Sequence, residues 1–594
     1  MEFRSFEKSW GAEMQTDGSV LFRLWAPGQQ QITLRIADGE HPMNATHDGW
    51  FELQRHDTPH GTAYHYVLAD GTVVPDPASR AQQSDVNGPS LVIDPRHYTW
   101  QHQDWRGHKW HETVVYELHI GTFTPEGTFQ AAIAKLPGLK ALGITMIEIL
   151  PVSQFGGSRG WGYDGVLLYA PHASYGSPDD FKALVDAAHA QGLSVVLDIV
   201  LNHFGPEGNY LPLLAPDFFH QERMTPWGAG IAYDVDAARR YIAEAPLYWL
   251  QEYHLDGLRF DAIDQIEDAS SKHVLVEIAE RIRRDITDRP IHLTTEDCRN
   301  VTFLHPRDKQ GNTPLFTGEW NDDFHNAIHV FATGETHAYY QDFAEVPEKL
   351  IARILTEGFA YQGEISPQSG QRRGVPSAGQ SPVTFVDFIQ NHDQVGNRAQ
   401  GDRLITLAGS DRTKVLLAAL LLSPHIPLLF MGEEYGETHP FLFFTDFHGD
   451  LAKAVREGRA REFTGHAGHD DNVPDPNAEQ TFIQSKLDWQ KLQSGEGQSW
   501  WTFTQQLLQL RQQHIVPLLA TAGGHSGKVL TTAKGFVAVS WQFPKGELSM
   551  AFNISKQSHK LPTLPGDTLF AWPQESASLP QHAIVVRLKK EKSA

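Results

Sequence analysis

Three apolar runs of this sequence end in carboxylates: Leu258-Arg259-Phe260-Asp261, IHLTT followed by Glu296 and Asp297, and FIQNH followed by Asp393. Two carboxyls about 5–5.5 Å apart can cleave a glycosidic bond with retention, one as nucleophile and the other as general acid/base. A third can grip sugar hydroxyls and favour distortion toward an oxocarbenium-like state. In an extended strand side chains alternate, so Arg259 and Asp261 share one face and Leu258 and Phe260 take the other. An arginine beside a carboxylate favours its ionised form, which a nucleophile must have. The same pair also fits a structural ion pair, with Glu296 exposed and Asp297 capping a helix. Glu117 with His119, Asp198 with Asn202 and His203, and His392 also end apolar runs.

These groups need strands that end at one place. Ile144–Pro151 is an apolar run of the kind a buried parallel strand shows. Ser177-Pro178-Asp179-Asp180 then supplies an N-cap, a Pro at the first helical position and acid in the first turn. Phe181, Leu184, Val185 and Ala188 follow at helical spacing, and Gly192 closes the helix before the next strand, Ser194–Leu201. The alternation runs on through LDGLRFDA, a helix near SSKHVLVEIAERIRR, IHLTTED, SPVTFVDFIQ, a helix near RTKVLLAALLL, and IPLLFMGEE. With Val114–His119 in front and a weaker strand near Phe316–Trp320, eight parallel strands are expected, closing an α/β (β/α)8 TIM barrel over residues 106–515. In such a barrel catalytic groups come from the C-terminal strand ends. Short alternating runs over 1–105 predict an N-terminal β-sandwich, and KVLTTA, GFVAVSWQF and ELSMAFNI predict a C-terminal antiparallel β domain over 516–594. A small insertion in the barrel is expected near 203–240.

Lys and Arg number 49 against 72 Asp and Glu, a net charge of −23. A surface this acidic repels phosphate backbones and anionic headgroups, so neither nucleic acid nor a membrane is expected as a partner. The 15 Trp fit a large core or sugar-stacking platforms. Cys298 is the single cysteine, so no internal disulfide can form. The start MEFRSFEKSW lacks an apolar core, and no run reaches the ~20 apolar residues of a membrane span; a cytoplasmic location and a monomer or weak homodimer are expected.

DIVLNH (198–203), GLRFDA (257–262), Glu296 after its strand and QNHD (390–393) resemble, in order, the four signature regions of the α-amylase family of glycoside hydrolases. The resemblance implies Asp261 as nucleophile, Glu296 as acid/base and Asp393 as transition-state stabiliser. It also implies Asp198, His203, Arg259 and His392 around the −1 sugar, with Tyr163 of WGYDG as its stacking platform. WGYDGVLLYAPHASYGSPDDFK, TPWGAGI, EWNDDFHNAIHV, FIQNHDQVGNR, MGEEYGETHPFLFFTDF and SKLDW are similar to segments of malto-oligosyltrehalose trehalohydrolases. That resemblance implies hydrolysis of the α-1,4 bond next to a terminal trehalose, with malto-oligosyltrehalose as substrate and no cofactor or metal. Asp297, Asp322 and Asp323 join the expected substrate contacts. Many α-amylase relatives carry Lys or His shortly after the nucleophile; this chain has Asp264 and Gln265, so Asp264 is expected on the leaving side. Ala232 stands where the resemblance leads one to expect Asn. A branching enzyme forming α-1,6 links shares these features, and a non-catalytic glucan-binding protein would be expected to lose a carboxylate. GGSRGWG (156–162) lacks the Lys-Ser/Thr ending of a phosphate loop, and GHAGHDD (465–471) reads as a polar loop rather than a metal site.

Overall fold

The computed structural model describes residues 5–308, 310–463 and 473–591; the GHAGHDD segment lies outside them. Eight parallel strands close a barrel in chain order. They are β1 (Val115–Leu118), β2 (Met146–Ile149), β3 (Ser194–Ile199), β4 (Gly257–Phe260), β5 (His292–Glu296), β6 (Gly318–Trp320), β7 (Phe385–Asp387) and β8 (Ile426–Phe430). The strand expected near Phe316–Trp320 is thus present as β6. The strands are almost wholly buried, as both faces of a barrel sheet must be.

Helix formation follows the local signals. The helix Pro178–Ala190 starts on a reciprocal cap, in which the Ser177 hydroxyl accepts the Asp180 N–H and the Asp180 carboxylate accepts the Ser177 N–H. Its buried stripe of Phe181, Leu184, Val185 and Ala188 packs on the barrel, each large side chain contributing about 1.5–3 kcal/mol.

The N-terminal strands form two antiparallel sheets, one built around Val20–Trp25 and Trp50–Arg55, the other around Ile32–Ile36 and Ala63–Leu68. Their inner faces meet on Phe22, Leu24, Leu34, Phe51 and Tyr66, all buried. Trp10 ties this sandwich to the barrel: its indole N–H donates to the Ala237 carbonyl at 3.0 Å and its ring meets Tyr241 edge-on at 5.2 Å. At the other end, five antiparallel strands between Gly527 and Lys590 pack against the helix Pro347–Glu357. There the Trp541 indole donates to the Leu355 carbonyl at 2.7 Å. Among the described residues no helix is long and apolar enough to cross a membrane. The segment expected to hold an insertion carries a hairpin, Phe219–Thr225 paired with Gly228–Ile231.

The turn after β8 buries Glu433 and Glu434, and no ion pair reaches either among the described residues. Burial pushes the Glu433 carboxyl up to about 8 and Glu434 up to about 7. A carboxyl whose pKa rises on folding binds its proton more tightly in the native state, so its contribution to stability falls as pH rises through that raised value. Glu433→Gln keeps an acceptor for the Phe430 N–H, which now donates to Glu433 at 3.1 Å. The melting temperature of Glu433→Gln minus that of the parent should therefore grow more positive between about pH 5 and about pH 9. A difference that stays flat over that range would show that Glu433 does not titrate there.

Candidate active site

Arg259 is the centre of the site. It is 1% exposed at the end of β4. Its neighbours are set by register: Asp198 of β3 pairs with Arg259 directly across the ladder, and Arg259 pairs with Thr294 of β5, two residues before Glu296. Alternation then carries Asp261 and Glu296 to the same inner side. One guanidinium nitrogen donates to Asp198 Oδ2 at 2.7 Å and to Asp261 Oδ1 at 2.8 Å, and the other meets Glu296 Oε2 at 2.6 Å. The guanidinium carbon lies over the Trp320 ring of β6, 4.2 Å from its centroid. Asp198 also accepts the Tyr163 hydroxyl at 2.6 Å.

The chain bends sharply after Asp261. Ala262 takes a left-handed conformation at φ 40°, which a residue with a side chain adopts only at a cost of about 1–3 kcal/mol. The bend aims the Ala262 N–H at Glu296 Oε2, 3.0 Å away. Strain next to Asp261 thus orients the Glu296 carboxylate.

On the far side, β1 contributes Glu117, which takes the His392 backbone N–H at 3.0 Å and its ring Nδ1 at 2.5 Å. The imidazole stacks on Tyr163 with centroids 5.0 Å apart. Burial would lower the His392 pKa, but the Glu117 carboxylate more than reverses this and leaves it raised. Asp393 follows in the same turn, its Oδ1 accepting the Asn397 amide at 2.7 Å.

Carboxylates outnumber cations here. Burial pushes Asp198 up to about 6 against the pull of Arg259 and Tyr163. Asp261 is raised by burial and by Glu296 and Asp198, with Arg259 opposing. Burial raises Asp322 and Asp393 as well, Glu296 adding to both. Groups this close titrate as a set rather than one by one.

The structure brings Tyr163, Asp198, Arg259, Asp261, Glu296, Asp322, His392 and Asp393 to this strand-end basin, with Asp264 half-buried at its edge. It does not bring two of the expected sugar contacts. Asp297 spends its carboxylate on Arg299, at 2.6–2.9 Å, and Asp323 is closed off by Asn300, Arg373 and the Ala360 and Tyr361 amides. His203 lies at the rim with both ring nitrogens against protein, Nδ1 at 2.7 Å from Asn202 Oδ1 and Nε2 at 2.8 Å from the Tyr163 carbonyl. Burial lowers its pKa to about 4.

Sequence reading did not mark several residues that shape the site. Trp227, 47% exposed at the tip of the insertion hairpin, stacks on His203 at 4.2 Å. Trp320 carries the guanidinium. Glu148 of β2 is buried in the barrel interior, where burial, then Asp198 and Glu117, raise it well above the usual carboxyl range. The one available signal for Glu148 was a carboxyl inside an otherwise apolar strand.

An eight-stranded parallel barrel with this carboxylate set at its C-terminal mouth defines a glycosidase of the α-amylase class, and the family model "Alpha amylase, catalytic domain" matches residues 79–212. The chain is 42% identical to the malto-oligosyltrehalose trehalohydrolase of Deinococcus radiodurans, over 90% of each chain. It is 39% identical to that of Saccharolobus solfataricus, over 92% of this chain and 94% of the relative. The chain therefore belongs to the malto-oligosyltrehalose trehalohydrolase family. Among solved structures, a putative alpha amylase from Salmonella typhimurium is 72% identical and superposes with a TM-score of 0.97, covering 98% of this chain and all of that one. A pullulanase from Anoxybacillus, 17% identical with a TM-score of 0.72 over 99% of this chain and 88% of its own, shares the fold.

Proposed function

We propose that this protein hydrolyses the α-1,4-glucosidic bond next to the terminal trehalose of malto-oligosyltrehalose, releasing trehalose and a malto-oligosaccharide. The observation that carries the chemistry is the single guanidinium that fixes Asp198, Asp261 and Glu296 at once. Asp261 attacks the anomeric carbon, and Glu296 gives its proton to the departing trehalose oxygen. Glu296 then takes a proton from water, whose oxygen displaces Asp261 with net retention. Asp393 and the raised imidazole of His392 border the sugar undergoing attack, with Tyr163 beneath it. Asp322, which takes no hydrogen bond from any described side chain or amide, has oxygens free for sugar hydroxyls. A reducing, cytoplasmic location and a monomer or weak homodimer complete this reading, supported by a single cysteine and an acidic surface that opposes self-association.

The test is product analysis on maltopentaose and maltotriosyltrehalose side by side. Rapid trehalose release from the second alone supports the reading; equal cleavage of both, or branched products, returns the chain to a general amylase or branching activity. Asp264 supplies the leaving-side probe. It is raised by burial first and lies near Asp297 and Glu296, with Oδ2 taking the Gln265 amide at 2.7 Å. Asp264→Ala should lower cleavage of maltotriosyltrehalose about 10-fold or more beyond its effect on maltopentaose, the worth of one charge-assisted hydrogen bond. Equal losses would remove Asp264 from trehalose recognition.

A further inference from the structure

Behind the barrel wall, Glu319 of β6 grips the two residues on either side of Glu296. Its Oε1 accepts the Asp297 N–H at 2.7 Å, and its Oε2 accepts the Thr295 hydroxyl in a short contact. Thr295 and Glu319 are directly paired across β5 and β6, while Glu296 pairs with Trp320 one step on. Alternation therefore sends Glu296 and Trp320 inward and Thr295 and Glu319 outward. Glu319 is 0% exposed, so no substrate reaches it. His305 seals the outer side, its Nε2 2.8 Å from the Thr295 hydroxyl and 3.3 Å from Glu319.

A buried carboxyl is costly, and burial with Asp297 nearby raises Glu319 well above the usual range. Packing alone would be served by an apolar residue here, as at most outward positions of the barrel strands. What Glu319 provides instead is a two-point clamp across the last residues of β5, where the strand ladder ends and the backbone would otherwise fray. From Thr295 and Asp297 the clamp fixes the Cα of Glu296, and the Ala262 N–H and Arg259 fix its carboxylate. A displacement of about 1 Å at a group that transfers a proton can cost 100-fold in rate.

We propose that Glu319 is a positioning residue for proton donation, holding Glu296 at the distance where it protonates the leaving trehalose oxygen. The inference rests on the assignment of Glu296 above. Its signature is dependence on the leaving group. Glu319→Ala removes the acceptor of the Asp297 N–H, whereas Glu319→Gln keeps an acceptor there. Maltotriosyltrehalose needs a proton on its leaving oxygen; α-maltotriosyl fluoride releases fluoride without one. Glu319→Ala should lower kcat/KM, which reports the step that expels the leaving group, about 100-fold on maltotriosyltrehalose and less than about 5-fold on the fluoride, and Glu319→Gln should recover most of the loss. Glu296→Gln, measured alongside, should show the same asymmetry more strongly. If Glu319→Ala does not fold, the isosteric Thr295→Val, which removes only the hydroxyl arm, should show a smaller asymmetry of the same sign. Equal losses on both substrates in these variants, with asymmetry kept in Glu296→Gln, would overturn the role of Glu319. No asymmetry in Glu296→Gln itself would overturn the assignment of the acid/base, and the inference with it.

Discussion

Asp261→Asn is expected to fold normally and to turn over malto-oligosyltrehalose on the order of 10⁴-fold or more slowly than the parent. The substituted amide is nearly isosteric and its oxygen still accepts the Arg259 N–H that Asp261 now takes at 2.8 Å. The guanidinium keeps all three contacts, so the architecture of the mouth survives. What is lost is the anionic oxygen that, in the proposed mechanism, bonds to the anomeric carbon. Stability should move the other way. Burial and the nearby Glu296 and Asp198 raise Asp261, so its contribution to folding is lost as pH rises above its raised value. At neutral pH a neutral side chain in its place should leave the melting temperature unchanged or higher, the exchange of stability for activity expected at a crowded site. A purified, folded Asp261→Asn with turnover within about 10-fold of the parent would remove Asp261 as the nucleophile.

The fold was legible because barrel strands bury both faces and so read as apolar runs: β3 and β8 stand out in any window. The weakest strand in the sequence, β6, is three residues long, and one of them is Glu319. Its pattern is poor because that outward position is spent on clamping β5 rather than on the core. Local backbone geometry explains which acids turn away from the mouth. Glu296 and Asp297 are consecutive at the end of β5, where side chains alternate, and Asp322 and Asp323 open the helix Asp322–Thr333, where neighbours are offset by about 100°. In each pair the first points to the basin and the second is drawn into protein by arginine, Arg299 for Asp297 and Arg373 for Asp323. The sequence reading expected Glu296 as acid/base and Asp297, Asp322 and Asp323 all as sugar contacts, without separating these faces. His203 shows a different limit: its position at a strand end was readable, but the Tyr163 carbonyl that occupies its Nε2 comes from another loop 40 residues earlier. Trp227 was equally hidden, since nothing in TPWG states that the hairpin folds its indole over that ring.

Arg259→Lys is the second substitution with a large expected effect, and it separates charge from geometry. Lysine keeps the positive charge on β4 but presents one ammonium in place of a planar fork. It cannot meet Asp198, Asp261 and Glu296 together at the 2.6–2.8 Å seen here. Turnover should fall about 100- to 1,000-fold, since the nucleophile and the acid/base lose their common reference. The stability loss should be smaller, because the cluster still holds a cation. Arg259→Met removes the cation as well and should cost about 3–5 kcal/mol, as breaking a buried ion pair does. That cost has a definite pH dependence. Arg259 lowers the pKa of Asp198, Asp261 and Asp393, so its loss raises all three further. As pH falls through the raised values these carboxyls take up protons with or without the arginine, so the deficit of Arg259→Met should shrink toward acid pH and widen as pH rises. Denaturant melts across that range, with kcat for each variant, separate the two roles. If Arg259→Lys retains turnover within about 5-fold, positive charge is sufficient and the fork does not set the spacing of the two reacting carboxylates. If it loses turnover while its stability stays close to the parent's, the guanidinium's geometry holds Asp261 and Glu296 in place for reaction.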